Sequence, residues 1–342
     1  MSQELLNVLV TVNLGDSIID RLKTISPRLK FIRKVVKSAS EISADQWKTI
    51  DILYTARILP EPNAAPRLRW IQTHMAGVDS LLTQPLLATA EDIILTNSSG
   101  IHAPKIAEYT LAMFLLFAQK IPAMMRAQAQ SEWPDDRFER FMPRMLRDST
   151  LGIVGYGSIG RETARLAHDF GMEVLATKRN VMRPQAVNEY VLPDTGDPEG
   201  IYVNRLYPPE ALKSMLAASD FVQIAVPSVP ATRKILGEAE FAAMRKHAVL
   251  VNVARGDVID EAALIRALQT GQIGGAALDV FEIEPLPMTS PLWKMENVII
   301  SPHISGNTAH YNEDAAEVFA ANLERYLVDE DLLNVINRTQ GY

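Results

Sequence analysis

Short runs of apolar and β-branched residues recur along the chain, separated by longer stretches whose apolar positions fall at helical spacing. In the first hundred residues the runs are NVLVTV, LKFIRKV, DILYT, LRWIQT and DIILTN, each bounded by polar or turn-forming residues. From residue 151 the alternation resumes with LGIVG, EVLAT, DFVQIAV, AVLVNVA, GAALDV and NVIIS, with helical segments such as DEAALIRALQTG between them. Parallel strands need a crossover connection, usually a helix, so this alternation predicts parallel sheets covered by helices. The expected class is α/β: two Rossmann-like or flavodoxin-like domains with parallel sheets and a cleft between them.

Between the two blocks, residues 104–120 are apolar around nearly the whole helical circumference, with Pro104 in the first turn and Pro122 just past the end. That pattern predicts a helix buried between larger parts. Residues 121–149 are rich in Met, Arg and Trp and carry no strand pattern. They read either as a dimerisation arm gripping a second copy or as a long loop with broken helices. A last helix over about 312–327 follows the final strand and is expected to return to the first domain. The expected division is 1–103 plus 307–342 for a discontinuous, flavodoxin-like substrate-binding domain, and 104–306 for a dinucleotide-binding Rossmann domain that includes the arm.

Composition narrows the chemistry. A chain of 342 residues with 47% hydrophobic content has ample material for two packed cores. Forty-one acidic against 34 basic residues give a net charge of −7, and no long run of Lys or Arg occurs, so the footprint of a nucleic-acid binder is missing. The absence of cysteine removes disulfides, Cys-ligated zinc and thiol nucleophiles together. The start, MSQELLNVLVTVN, has no basic stretch followed by a long apolar core, and LAMFLLFA at 111–118 is too short to span a bilayer. The expectation is a soluble, cytoplasmic protein without a membrane or nucleic-acid partner, working on small molecules.

In LGIVGYGSIGRETARLAHDFG, Gly155, Gly157 and Gly160 have GxGxxG spacing directly after a strand and at the start of an amphipathic helix that Gly171 closes. The first glycine allows the tight turn, the second lets a pyrophosphate approach the backbone, and the third lets helix and strand pack closely. A plain glycine turn joining strand to helix is the alternative. Eighteen residues beyond Gly160, EVLATKRN ends its strand in Lys178 and Arg179. A carboxylate there would bind the ribose hydroxyls of NAD and repel a 2′-phosphate; an ammonium and a guanidinium do the opposite. The pair therefore favours NADP(H) over NAD(H), with a solvated basic turn as the alternative.

Ligands of open α/β sheets sit beyond the carboxyl ends of the strands. Three runs place polar groups there: AVLVNVARGDVID ends at Arg255, GAALDVFEIEPLP passes Asp279 and reaches Glu284, and NVIISPHISGN ends at His303. No HExxH-like spacing accompanies His303, so no metal site is expected and acid–base chemistry fits better. Singly, Arg255 reads as a turn cap, Glu284 as a solvated loop acid and His303 as a core histidine. Their joint placement at one sheet edge favours a site.

The region NVARGDVIDEAALIRALQTGQIGGAALDVFEIEPLP, followed by NVIISPHISGN, resembles the signature region of the D-isomer-specific 2-hydroxyacid dehydrogenases. QTHMAGVD, NSSGIHAPKIAEYTLAMFL and LGIVGYGSIGRETAR fall in that family's order, so the resemblance covers nearly the whole chain. It implies that Arg255 binds the carboxylate and carbonyl of a 2-oxo acid, that His303 protonates the carbonyl oxygen as hydride arrives, and that Glu284 pairs with His303. It also implies that backbone N–H groups around Met75, Ala76 and Gly77 hold the substrate carboxylate while His74 and Met75 shape the pocket. Further cofactor contacts implied are Ser158, Ile159, Val226, Pro227, Thr232, Val253, Ala254, Asp279, Ser305 and Gly306, with Ile106 flanking the nicotinamide.

Two features depart from the family pattern. Lys178 stands where NAD-using members have an acid, and the connection over 184–209, with five prolines and two glycines, is longer than the usual loop. That extension could contact a partner subunit, edge the cofactor cleft or be an idle insertion. The expected activity is reduction of glyoxylate, hydroxypyruvate or a similar 2-oxo acid to the D-2-hydroxy acid by a homodimer. Formate dehydrogenases of the same fold have glutamine in place of Glu284 and need no proton donor. The alternative from another class is a dinucleotide-sensing corepressor or scaffold like the C-terminal-binding proteins.

Overall fold

A computed structural model describes residues 4–341. Its strands are β1 (Leu6–Val10), β2 (Leu29–Arg33), β3 (Ile52–Thr55), β4 (Trp70–Thr73), β5 (Ile94–Thr96), β6 (Thr150–Val154), β7 (Glu173–Thr177), β8 (Arg205–Tyr207), β9 (Phe221–Ile224), β10 (Val249–Asn252), β11 (Gly275–Leu278) and β12 (Val298–Ile300). Its helices are α1 (Asp16–Lys23), α2 (Ala44–Trp47), α3 (Asp79–Leu82), α4 (Pro85–Thr89), α5 (Ala103–Ala118), α6 (Ile121–Ala129), α7 (Arg137–Arg140), α8 (Ser158–Asp169), α9 (Leu212–Ala218), α10 (Glu238–Ala243), α11 (Glu261–Gln269) and α12 (Tyr311–Leu327). The chain divides into two compact units, Met1–Ile101 with Val187–Tyr190 and Thr308–Tyr342, and His102–Ala186 with Val191–Asn307. Residues 1–3 and 342, assigned to the first domain from sequence, lie outside the described residues. The sequence division gives residues 187–190 to the second domain, whereas their contacts put them in the first unit.

The first unit holds a parallel sheet of order β2-β1-β3-β4-β5, the flavodoxin-like arrangement. β3 and β4 are buried along their whole length, which is why ILYT and WIQT are continuous rather than alternating runs. On one face α12 returns to the sheet. Its Ala316, Phe319 and Leu323, spaced three and four apart, pack with Ile18, Ile19 and Leu22 of α1. Phe319 lies 4.6 Å from the ring of Tyr54 and 5.3 Å from that of Trp70. A fully buried amide on that face is satisfied: Asn322 donates to Gln72 Oε1 and Leu333 O, both at 3.1 Å, and accepts from Leu333 N–H at 2.7 Å.

The second unit has a parallel sheet of order β12-β11-β10-β9-β6-β7-β8. Strand order reverses at β6, between β7 and β9, so the glycine loop after β6 opens at the topological switch point. Sequence pattern predicts six strands here; β8 is the seventh. It is a three-residue edge strand running into Pro208 and Pro209, too short to show a period, and its register comes from β7. α5 differs from the all-round buried helix expected. Ala103, Ile106, Ala107, Thr110, Leu111, Phe114 and Ala118 form one buried face, and Met113, Leu115 and Phe117 are half-buried. Residues 121–149 form the short helices α6 and α7 joined by turns, and they leave Met125, Trp133, Phe138, Met142 and Met145 exposed. Among the described residues no helix is long and apolar enough to cross a membrane.

At the amino end of this sheet the buried carboxylate of Asp220 gathers four donors. Arg245 lies 2.6 Å away, Arg144 2.7 Å, His247 2.8 Å and the N–H of Thr150 2.9 Å. Burial alone would raise its pKa, but these donors together outweigh burial and hold it well below the usual carboxylate range. A depressed native pKa contributes stability above the unfolded value near about 4, and that contribution is lost as pH falls through the native pKa. Asp220→Asn is expected to cost about 2 kcal/mol at neutral pH. In urea denaturation across pH, the gap between wild type and variant should shrink below about pH 4; a gap unchanged in acid would show that the charge is not the stabilising element.

Candidate active site

The cradle for a dinucleotide is built from β6, its glycine loop and α8. Gly155 has φ +105, and a β-carbon there would lie 2.7 Å from Ala225 O and 2.8 Å from Val226 Cγ1. Only glycine supplies both that backbone and that clearance. A β-carbon on Gly160 would sit 2.4 Å from Gly155 O, so the third glycine serves the close packing of helix on strand. Gly157 is different: nothing lies within 4 Å of where its β-carbon would be. The space in front of its backbone is open, and a side chain would fill it. Gly157 caps α8, whose first turn, beginning Ser158 and Ile159, carries no acid, so unpaired N–H groups and the positive helix end face that space. The residues present fit a pyrophosphate.

At the end of β7, the N–H of Lys178 continues the ladder to Tyr207 O of β8 at 3.0 Å. Its ammonium donates to the carbonyls of Pro184 and Gln185, both at 3.1 Å, and Arg179 beside it is exposed. Thr177 locks the loop to the same strand, its Oγ1 accepting from Gly155 N–H at 3.1 Å and its carbonyl from Tyr156 N–H at 3.1 Å. On the neighbouring strand end, Val226 and Pro227 begin a turn closed by Thr232, whose hydroxyl donates to Val229 O at 3.1 Å and accepts from Val229 N–H at 3.0 Å.

β10, β11 and β12 are adjacent, and their carboxyl ends carry Arg255, Asp279 and His303. Neighbouring strands lie about 4.8 Å apart, so three successive ends form one short row. Val253 and Ala254 are buried, and the turn that follows is shaped by Asn252, which accepts from Ala254 N–H at 3.1 Å and donates to Arg255 O at 3.0 Å. His303 Nδ1 lies 2.8 Å from Glu284 Oε2, with both side chains partly exposed. Glu284 is held in turn by Phe281 N–H, which donates to Oε1 at 3.1 Å. A carboxylate fixed on Nδ1 orients the ring and leaves Nε2 as the nitrogen that can exchange a proton outward.

His303 itself has φ +53 and is pinned by the buried Asp279. Its N–H donates to Asp279 O at 2.8 Å, while the Asp279 carboxylate accepts from the N–H groups of Ile304 and Ser305, each at 2.9 Å, and from the hydroxyl of Ser301. Burial would raise the pKa of Asp279, but the Ser301, Ser305 and Ile304 donors hold it below the ordinary value. Asp279 thus clamps the loop that presents the histidine. Gly306 closes that loop against α5: its carbonyl is 3.0 Å from His102 Nδ1, and a β-carbon there would meet Ile106 Cδ1 at 3.4 Å.

In the first unit the loop after β4 carries His74, Met75, Ala76 and Gly77. His74 is buried, its Nδ1 2.7 Å from the hydroxyl of Tyr54, and Tyr311 donates to its carbonyl at 3.1 Å. Burial keeps both phenols protonated, pushing Tyr311 up to about 12 and Tyr54 well above its usual value. Met75 N–H donates to Thr73 Oγ1 at 3.0 Å, and Asn97 donates to Ala76 O at 2.7 Å. The Met75 N–H is therefore committed inside the loop.

The family model for the NAD-binding domain of D-isomer specific 2-hydroxyacid dehydrogenases matches residues 111–305. The chain belongs to this family. It is 32% identical over 283 residues to a glyoxylate reductase of Korarchaeum cryptofilum, covering 80% of this chain and 78% of that protein. It is equally 32% identical over 273 residues to a D-3-phosphoglycerate dehydrogenase of Methanocaldococcus jannaschii, covering 80% of this chain but only 48% of the longer relative. Among solved structures, a D-isomer specific 2-hydroxyacid dehydrogenase from Xanthobacter autotrophicus in complex with NADPH and MES superposes with a TM-score of 0.79 at 28% identity, covering 98% of this chain and 99% of the other. An NADPH-dependent glyoxylate/hydroxypyruvate reductase from Sinorhizobium meliloti, in complex with NADP and sulfate, gives 0.74 at 25% identity, with 98% and 100% covered.

As a 2-hydroxyacid dehydrogenase the protein is an NAD(P)-binding oxidoreductase, and its second unit carries the dinucleotide cradle. Several residues that organise this dehydrogenase's strand ends escape a reading of the sequence. Asn252 ends β10 and Ser301 follows β12 without any motif to mark them, and Tyr109, whose hydroxyl lies 2.8 Å from Ser301 Oγ, is 192 positions away in the chain. Only the fold brings them to the site. The Tyr54–His74–Tyr311 group has the same character, since its three rings come from β3, the loop after β4 and α12.

Proposed function

We propose that this dehydrogenase reduces a small 2-oxo acid, glyoxylate or hydroxypyruvate, to the D-2-hydroxy acid, with NADP(H) favoured over NAD(H). The observation that carries the reading is the 2.8 Å contact between His303 Nδ1 and Glu284 beyond the carboxyl end of β12, with Arg255 in the turn after β10, two strands away. The guanidinium of Arg255 pairs with the carboxylate and carbonyl of the acid. For the first unit's share in substrate binding we propose the N–H groups of Ala76 and Gly77. His303, oriented by Glu284, hands a proton from Nε2 to the carbonyl oxygen, and the charge left on that oxygen is never developed in full. A bound nicotinamide supplies the hydride; the protein fixes distance and direction. The row of strand ends supports this order of roles, as do the glyoxylate reductase relatives.

The cofactor preference rests on Lys178 and Arg179 at the end of β7, where a carboxylate would select the free ribose. Neighbouring structures that hold NADPH or NADP support it. The exposed apolar residues of α6, α7 and the turns after them support a homodimer formed through residues 121–149, which sedimentation would read directly.

The test is the fall in nicotinamide absorbance with NADPH and NADH in parallel, against glyoxylate, hydroxypyruvate, pyruvate, phenylpyruvate and 3-phosphohydroxypyruvate. Fast NADPH oxidation with the two smallest acids is expected. Turnover of none of them, despite measured dinucleotide binding, would overturn the reading in favour of a sensor. In the same assay, Lys178→Asp with Arg179→Ile should weaken NADPH by about 100-fold and NADH far less, from the loss of two charge-assisted hydrogen bonds. Equal losses would show that these side chains do not read the 2′-phosphate.

A further inference from the structure

The long connection after β7 is bound to the phosphate cradle by buried charge. Three residues of the glycine loop and the first turns of α8 hold it: Tyr156, which sits between Gly155 and Gly157, with Arg161 and Glu162. Each is 4% exposed or less, as is Asp197 in the connection. Tyr156 donates its hydroxyl to Asp197 Oδ2, and the same carboxylate accepts from Ile201 N–H at 2.8 Å and Tyr202 N–H at 3.0 Å. Arg161 donates to Asp197 O and to Pro184 O, each at 2.5 Å, and lies 4.7 Å over the Tyr156 ring. Glu162 accepts from Gly196 N–H and pairs with Arg165 at 2.6 Å.

This is an expensive way to hold a surface loop. A guanidinium in the first turns of a helix faces the positive end of the helix dipole, and the Nε of Arg161 is buried without a hydrogen bond. An idle insertion needs none of this. What the network fixes is the carbonyl of Pro184, which the ammonium of Lys178 contacts at 3.1 Å together with the next carbonyl, that of Gln185. Pro184 O is shared, since Arg161 and Lys178 both donate to it. The end of β7 and the start of α8 are thereby linked through one carbonyl oxygen.

We propose that residues 184–186 and 191–202 belong to the cofactor-recognition apparatus, with Tyr156, Arg161 and Asp197 as positioning residues that set where the ammonium of Lys178 meets the 2′-phosphate of NADP(H). The proposal rests on the NADP(H) reading above. An ammonium is a point charge on a flexible four-carbon stem, so its grip on a phosphate depends on how its position is restrained. The carbonyl that Arg161 holds restrains it, with that of Gln185 beside it.

The experiment measures dissociation constants of NADPH and NADH by fluorescence titration for wild type, Asp197→Asn, Tyr156→Phe and Lys178→Ala, with thermal melting to verify folding. Asp197→Asn keeps the shape and removes the charge; Tyr156→Phe removes one hydroxyl and remains informative if the first variant fails to fold. Both should weaken NADPH by about tenfold and NADH by less than about twofold. Equal weakening of the two cofactors, or no change in either, overturns the positioning role. The wild-type ratio and Lys178→Ala together separate the two levels. If wild type itself binds NADPH no tighter than NADH, the NADP(H) reading has failed; if wild type prefers NADPH but Lys178→Ala leaves the ratio unchanged, or collapses it while Asp197→Asn and Tyr156→Phe do not, only the positioning role falls.

Discussion

Replacing His303 with asparagine should lower kcat by about 10²- to 10⁴-fold while NADPH binding changes by less than about twofold. Asparagine can hydrogen-bond to a carbonyl oxygen, but it cannot release a proton to it. The loss should therefore fall on the chemical step. Asp279 holds the loop through the N–H groups of His303, Ile304 and Ser305, none of which a side-chain change at 303 removes, so the cradle stays assembled. Glu284→Gln should give a smaller loss, because the amide still meets Nδ1 while its charge is gone. Rapid-mixing measurement of NADPH oxidation, beside a binding titration, separates the two effects. An asparagine variant that keeps more than about a tenth of wild-type kcat would take His303 out of the proton transfer.

Gly256→Ala should cost roughly 3–5 kcal/mol of stability, and the folded fraction should turn over slowly. A β-carbon on Gly256 would stand 1.9 Å from Phe281 C, 2.0 Å from Phe281 O and 2.3 Å from Glu282 N. All three are backbone atoms, so no side chain can swing away; the strand-end turn after β10 and the loop after β11 must part. Phe281 N–H is the donor that holds Glu284, so their separation reaches the partner of His303. Gly271→Ala is the control. It forces an L residue to φ +65 but meets nothing within 4 Å, and should cost only about 1–2 kcal/mol. Urea denaturation of both variants checks the contrast, and equal costs would mean that the loop after β11 gives way and that collision does not govern position 256.

Much of this was legible in the order of residues because the signals are local. A glycine loop announces itself when a strand precedes it and a helix follows, and Arg255, Asp279 and His303 end apolar runs that could only be strands. Residues whose role depends on a partner far along the chain were not legible. Tyr109 meets Ser301 across 192 positions, and Asn322 meets Gln72 across 250. β8 escapes the pattern because three residues cannot show a period, yet its Tyr207 carbonyl fixes the backbone of Lys178. Length and proline content mark the 184–209 connection as unusual, but not that Tyr156 and Arg161 bind it, because buried hydroxyls and guanidinia look like surface residues in a sequence.

His303 sits in the left-handed region of backbone space, at φ +53. Few side chains tolerate that conformation, and asparagine and aspartate are the two best suited after glycine. Both are reached from a histidine codon by changing its first base alone. On the role proposed for His303, the change to asparagine alone would leave a folded protein that keeps its dinucleotide cradle and has no group at this position to give a proton.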